Sequence, residues 1–123
     1  MKKDPVLDAL KKASKGLRFV SETEAELEPF VWKEGGALTP ERLRELAGAG
    51  EGTPVEETTL DRFFRAVPSE DKAKFQKLAK ALQEQLSGIK VYKLGEEAEK
   101  EVYVVGQTAD GRWAGLKTTV VET

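Results

Sequence analysis

The chain has 123 residues, 39% of them hydrophobic and 34% charged, and a formal net charge of −2. That size suits one domain built on one core, and its apolar runs are too short for a membrane span. Cysteine and histidine are both absent, which excludes a disulfide framework, a thiol catalyst, the commonest general base and the commonest transition-metal ligand.

Met1-Lys2-Lys3 passes directly into Asp4-Pro5 with no apolar signal core, so a cytoplasmic location is expected. Asparagine is also missing, Met1 is the sole methionine, and Glu and Lys dominate the charges. On composition alone this is a thermophilic profile. The charge is segregated along the chain. Residues 1–20 carry +4 (six basic, two acidic), residues 21–57 carry −7 (three basic, ten acidic) and residues 62–93 carry +5 (eight basic, three acidic). Such asymmetry speaks to partners rather than to fold. The acidic region suits a basic partner.

A first helix is expected from Pro5, capped by Asp4 and stopped at Gly16, with Val6, Leu7, Leu10 and Ala13 as its apolar stripe. Leu17 to Val20 reads as a short extended run. In the stretch that follows, Glu22, Glu24, Glu26 and Glu28 alternate, so an extended chain would align four carboxylates on one side. Phe30-Val31-Trp32 reads as a strand closed by Gly35-Gly36. Thr39-Pro40 opens a second helix that carries Leu43 and Leu46 and ends at Gly48. The glycine-rich segment from Gly48 to Pro54 has no lysine and follows no strong strand, so it is a connector rather than a phosphate cradle. A short strand can follow at Val55–Glu57.

Thr58, with Asp61 three residues on, resembles a capping box for a helix presenting Leu60, Phe63, Phe64 and Val67, ended by Pro68. Ser69 reads as the N-cap of the longest helix, which runs to about Leu86 with Gly88 just beyond. Phe75, Leu78, Ala79, Leu82 and Leu86 recur at helical spacing as its buried face. Lys72, Lys74, Lys77 and Lys80 fill the remainder. With no interleaved aromatics they read as a solvated face rather than a nucleic-acid surface.

Three β-rich runs close the chain: Val91–Leu94, Glu101–Thr108 and Arg112–Val121. Asp110-Gly111 supplies the positive φ of a tight hairpin between the last two. Both faces of the middle run are apolar, which makes it a central strand. Trp113 and Leu116 fall on opposite faces unless Gly115 marks a bulge. Several helical faces must cover one sheet, so an α/β/α three-layer arrangement is expected. The last strand runs to the final residue with no trailing tail, presenting Thr123 and its α-carboxylate.

Catalysis would rest on the glutamates at 22–28. Paired carboxylates serve glycosidases, but no apolar pocket that would raise the pKa of one of them is evident. The spaced Asp and turn Gly of a calcium loop are missing as well. No enzyme activity, cofactor or metal site of its own is therefore expected.

Four ordered stretches resemble the family of inhibitors of the sugar-non-specific nuclease A. The first is Ala9 to Glu22, followed by Pro29-Phe30-Val31-Trp32. The second is Asp61-Arg62-Phe63-Phe64, and the third Lys74-Phe75-Gln76-Lys77-Leu78. The fourth is Val91-Tyr92-Lys93-Leu94-Gly95 with Val102-Tyr103-Val104-Val105-Gly106-Gln107-Thr108, closing on Val120-Val121-Glu122-Thr123. No piece is diagnostic alone; their order and the shared terminus make the likeness specific. It implies one inhibitor-like domain over residues 1–123, of class α+β. The implied architecture is a three-layer α/β/α sandwich similar to the plant pathogenesis-related class 1 proteins, with a mostly antiparallel sheet ending in a β-meander.

The resemblance also implies an activity: proteinaceous inhibition of a magnesium-dependent ββα-metal endonuclease that cuts DNA and RNA. In that family a glutamate within Ser-Glu-Ser/Thr pairs with an active-site arginine, and here it is Glu22, flanked by Ser21, Thr23 and Glu24. The C-terminal threonine approaches the nuclease's catalytic magnesium, and here it is Thr123, preceded by Glu122. The implied partner is the nuclease itself, in a 1:1 complex with a monomeric inhibitor, without direct nucleic-acid or membrane contact. One segment departs from the family pattern: Ala66 to Lys72 is short and lacks the family's acidic and aromatic residues there. This bears on which nuclease is bound, and a diverged member serving a different partner is the alternative. If Glu22 and Thr123 act together, they must converge at one edge of the sheet.

Overall fold

The computed structural model of the chain describes residues 5–15, 17–20, 24–32, 39–50, 52–65, 69–95 and 98–121. The expected Asp4 cap, the Gly16 stop, Gly35-Gly36, Val67 and Pro68 lie outside these residues. Helix α1 (Pro5–Ser14) leads to strands β1 (Arg18–Val20), β2 (Glu24–Glu26) and β3 (Glu28–Trp32). Helix α2 (Pro40–Ala47), strand β4 (Val55–Thr58) and helix α3 (Leu60–Arg65) follow. A 3-10 turn (Ser69–Asp71) then enters α4 (Lys72–Gln85), and β5 (Ser87–Leu94), β6 (Glu99–Gln107) and β7 (Trp113–Val121) complete the described chain. The class is α+β: the described residues form four α-helices and a five-stranded antiparallel sheet of order β3-β7-β6-β5-β4, with β1 and β2 paired separately. Among the described residues no helix is long and apolar enough to cross a membrane.

The meander β5-β6-β7 puts β6 at the centre of the sheet, as its two apolar faces require. Val102 and Val104 join the larger core cluster, whereas Tyr103 and Val105 join the other. Period-two alternation sends successive side chains of one strand to opposite faces. Leu10 of α1, Leu60 and Phe63 of α3, and Phe75, Leu78 and Leu82 of α4 all pack into the larger cluster. Leu43 of α2, fully buried, packs into the second cluster with Tyr92, Leu94 and Tyr103. The face expected for α4 is thus the one it buries.

Helix ends follow local chemistry, with corrections at α3 and α4. At α2 the Thr39 hydroxyl accepts from the Arg42 N–H at 3.2 Å, and Gly48 returns its own N–H to Glu45. At α3 the cap is Thr59, one residue later than expected, because Thr58 is occupied as the last residue of β4, opposite Val91. At α4 Ser69 does not cap. It opens the 3-10 turn, and Asp71 precedes the helix without a side-chain cap bond. Nor does Gly88 terminate α4. Leu86 turns extended at φ −130°, and Gly88 lies where the β5–β6 register shifts between Ser87 and Lys90.

Pro29, which has no N–H, sits within β3, an edge strand where that loss is tolerated. The β6–β7 turn closes as expected. Gly111 takes φ 87°, Thr108 exchanges backbone bonds with Arg112 and Gly111, and Arg112 pairs with Asp110 at 2.9 Å. The β6–β7 register runs unbroken through Val105↔Gly115, so Gly115 marks no bulge, and Trp113 and Leu116 do face opposite ways. Its lack of a side chain has another cause. A Cβ there would fall 1.7 Å from the Val104 carbonyl oxygen.

Candidate partner-binding site

The acidic stretch begins in a hairpin. β1 and β2 pair antiparallel, Arg18 opposite Glu26 and Val20 opposite Glu24, so three residues join adjacent strand ends. The foot of this hairpin is anchored by apolar contacts, since Leu17 before β1 and Leu27 after β2 both pack into the larger cluster. Leu27 is the buried residue at which the chain leaves β2 and enters β3. β3 then pairs with β7, Glu28 opposite Lys117 and Trp32 opposite Trp113, and both β1 and β2 contact β7 further along. The hairpin therefore stands beside the C-terminal half of the last strand.

Ser21, Glu22, Thr23, Glu122 and Thr123 lie outside the described residues. Glu24 opens β2, but its side chain is likewise outside. What is described is their support: the paired ends Val20 and Glu24 on one side, and Val121 on the other. Glu26 and Glu28 are exposed beside this support. On the opposite flank of β7, Glu99 faces Val121 and Glu101 faces Thr119. Carboxylates thus border the end of β7 on both sides.

Sequence reading missed a polar-aromatic group on the α2 face of the sheet. Phe30, Trp32 and Tyr103 have ring centroids 4.5 to 5.7 Å apart. The Lys117 ammonium lies 5.7 Å from the Tyr103 ring centroid and 3.6 Å from the Glu101 carboxylate, to which the Tyr103 hydroxyl also donates. Burial and then the Glu101 charge push the Tyr103 hydroxyl above its ordinary value. The Tyr103 oxygen, and then Glu101, hold the Lys117 ammonium above its own against partial burial. Alternation along β7 was the available signal, since Lys117 is four residues from Trp113 and shares its face. Trp32 and Trp113 pack against this cluster, half-buried.

The connector from Gly48 to Pro54 is tied internally. Arg44 Nε donates to the Thr53 carbonyl at 2.6 Å, and the Gly95 N–H donates to the Pro54 carbonyl. Among the described residues no three acidic side chains converge in a way that could hold a metal ion.

Fold and site together describe an antiparallel sheet that carries an acidic hairpin beside its last strand. The nuclease A inhibitor-like protein family matches residues 4–123, and the chain belongs to that family. No curated protein matches it.

Proposed function

We propose that this protein inhibits a magnesium-dependent, sugar-non-specific endonuclease by filling its active site with Glu22 and Thr123. A nuclease cleft holds phosphate with arginine and a metal cation, so carboxylates on the inhibitor can occupy the same electrostatic niche. Glu22 would meet the cleft arginine, with Ser21, Thr23 and Glu24 around it. Thr123, next to Glu122, would bring its hydroxyl and α-carboxylate toward the nuclease's magnesium. A prong held on a strand or a hairpin loses little freedom on binding, which favours affinity.

The observation that carries this reading is the pairing geometry. Glu28 pairs opposite Lys117, and β1 and β2, the two strands that residues 21–23 join, both contact β7. The family membership supports a nuclease as partner. Helical side chains in both core clusters, three helices in one and α2 in the other, are consistent with a three-layer sandwich like that of the pathogenesis-related class 1 proteins. The proposed complex is 1:1, formed in the cytoplasm by a monomer with no cofactor or catalytic activity of its own.

The test is titration of a ββα-metal nuclease with the protein, read by activity and calorimetry. Loss of one partner from a desolvated charge pair typically costs about 2–5 kcal/mol, so Glu22→Ala should weaken inhibition by roughly thirtyfold or more. Residues appended after Thr123 should weaken it comparably. Full nuclease activity with excess protein would refute the assignment. Capture of a different protein, indifferent to Glu22 and to the terminus, would establish the diverged-member reading, which the short segment before α4 favours.

A further inference from the structure

Away from the hairpin, on the face of the sheet that α1, α3 and α4 cover, α3 and α4 leave a cleft of about 450 Å³ between them. Its origin is legible in the residues. Lys72, Gln76, Ala79 and Gln83 recur along α4 at positions i, i+4, i+7 and i+11, one stripe on one face. Where a packed helix pair would place large apolar side chains, this stripe offers Ala79 between two glutamines. The opposing helix, α3, is only six residues long. The floor is apolar, made by Leu60, Phe64 and Phe75, with the Phe64 and Phe75 rings edge to face at 5.1 Å. The stripe from Lys72 to Gln83 spans about 16 Å, room for roughly five extended residues.

The charges around this cleft are polarised. Arg65 ends α3 and Lys72 begins α4, and both line the opening. Both are exposed, and among the described residues neither is ion-paired. Among the described lining residues Asp61 is the one carboxylate, and it belongs to the first turn of α3, so the cationic end is the α3 C-terminus.

We infer that this cleft docks a short acidic segment of a partner protein. An apolar side chain of that segment enters over Phe64, Phe75 and Ala79, and a carboxylate meets Arg65 and Lys72. Glutamine amides each carry two donors and an acceptor, so Gln76 and Gln83 can pair with the backbone of an extended peptide. A nucleic acid fits less well: single strands need ring faces for stacking along a basic track, and here the rings meet edge to face within the floor. The cleft lies over the β5 side of the sheet, to which α3 and α4 pack, whereas α1 and the β1–β2 hairpin pack against β7. The inference therefore does not rest on Glu22 or Thr123, the two prongs of the proposed nuclease contact.

The experiment is an amide-shift titration of the isotope-labelled full chain with a capped five-residue peptide of alternating leucine and glutamate. A lysine counterpart of that peptide and oligothymidylate are run beside it. The expected result is shifts centred on Phe64, Gln76 and Ala79 with the acidic peptide alone. Affinity should fall at least tenfold in Arg65→Glu/Lys72→Glu and be abolished by Gln76→Trp, which fills the cleft. Lys77→Glu, on the outer face of α4, should leave it within twofold, and nuclease inhibition should be unchanged in Gln76→Trp and in Lys77→Glu. Equal binding of the lysine peptide, equal loss in Lys77→Glu, or preferential oligothymidylate binding would overturn the proposal. So would cleft shifts that depend on protein concentration, which would assign the cleft to a second copy of the chain. Loss of inhibition in the cleft variants would assign it to the nuclease interface instead.

Discussion

Tyr92 lies on β5 opposite Glu57 of the edge strand β4, buried in the second core cluster. Burial first, and then the Glu57 carboxylate, push its hydroxyl from 10.0 up to about 12. A tyrosine is neutral when protonated, so a folded pKa above the unfolded one means that the folded state holds the proton more tightly. Its contribution to stability is complete below about pH 10 and is lost as pH rises toward about 12. Tyr92→Phe should therefore flatten the alkaline fall in urea midpoint over that window. Identical pH profiles for the two proteins would refute this. Such a residue is only half legible in sequence. Alternation gives its face, but the strand that brings Glu57 beside it lies more than thirty positions upstream.

At the scale of elements, the buried faces of α1 and α4 follow from spacing alone, and the α2 caps from local residue chemistry. The missed caps have separate causes. Thr58 and Thr59 are chemically equivalent candidates, and pairing of Thr58 with Val91 decides between them. Ser69 was displaced because a turn of 3-10 helix precedes α4. Gly115 was singled out in the sequence for the wrong reason. An isolated strand glycine suggests a bulge or a close approach, and only the neighbouring strand tells which. Gly115→Ala should lower stability by about 1–3 kcal/mol or more, as overpacking does, because the Val104 backbone must move. Gly52→Ala, where a Cβ would meet nothing within 4 Å, should be close to neutral in the same denaturation experiment. Equal midpoints for the two variants would show that the strands separate freely at Gly115.

For the whole molecule, the charge blocks of the sequence become separate surfaces. The acidic hairpin and β3 stand beside β7, while Lys74, Lys77 and Lys80 are exposed on α4. Charge so divided steers encounter more than it strengthens the final contact. Glu26→Lys/Glu28→Lys should slow association with a target nuclease several-fold at low salt, and the difference from the parent should shrink as salt screens it. Lys74→Glu/Lys77→Glu should not slow association. Stopped-flow rates across a salt series decide the matter, and a salt-independent rate would remove steering from the account.

The sequence by itself determined the class, the helical faces, the meander and the family, because these depend on periodicity and on order along the chain. It also singled out the alternating glutamates and the terminal threonine as residues to watch. Tertiary structure alone decided that the hairpin from Leu17 to Leu27 stands beside the end of β7. It alone grouped Lys117, Glu101 and Tyr103, and it alone opened a cleft over Ala79. The physical reason is the same in each case. Pairing between strands brings together residues some ninety positions apart, as with Glu28 and Lys117, and no local pattern encodes which partner a strand edge will take.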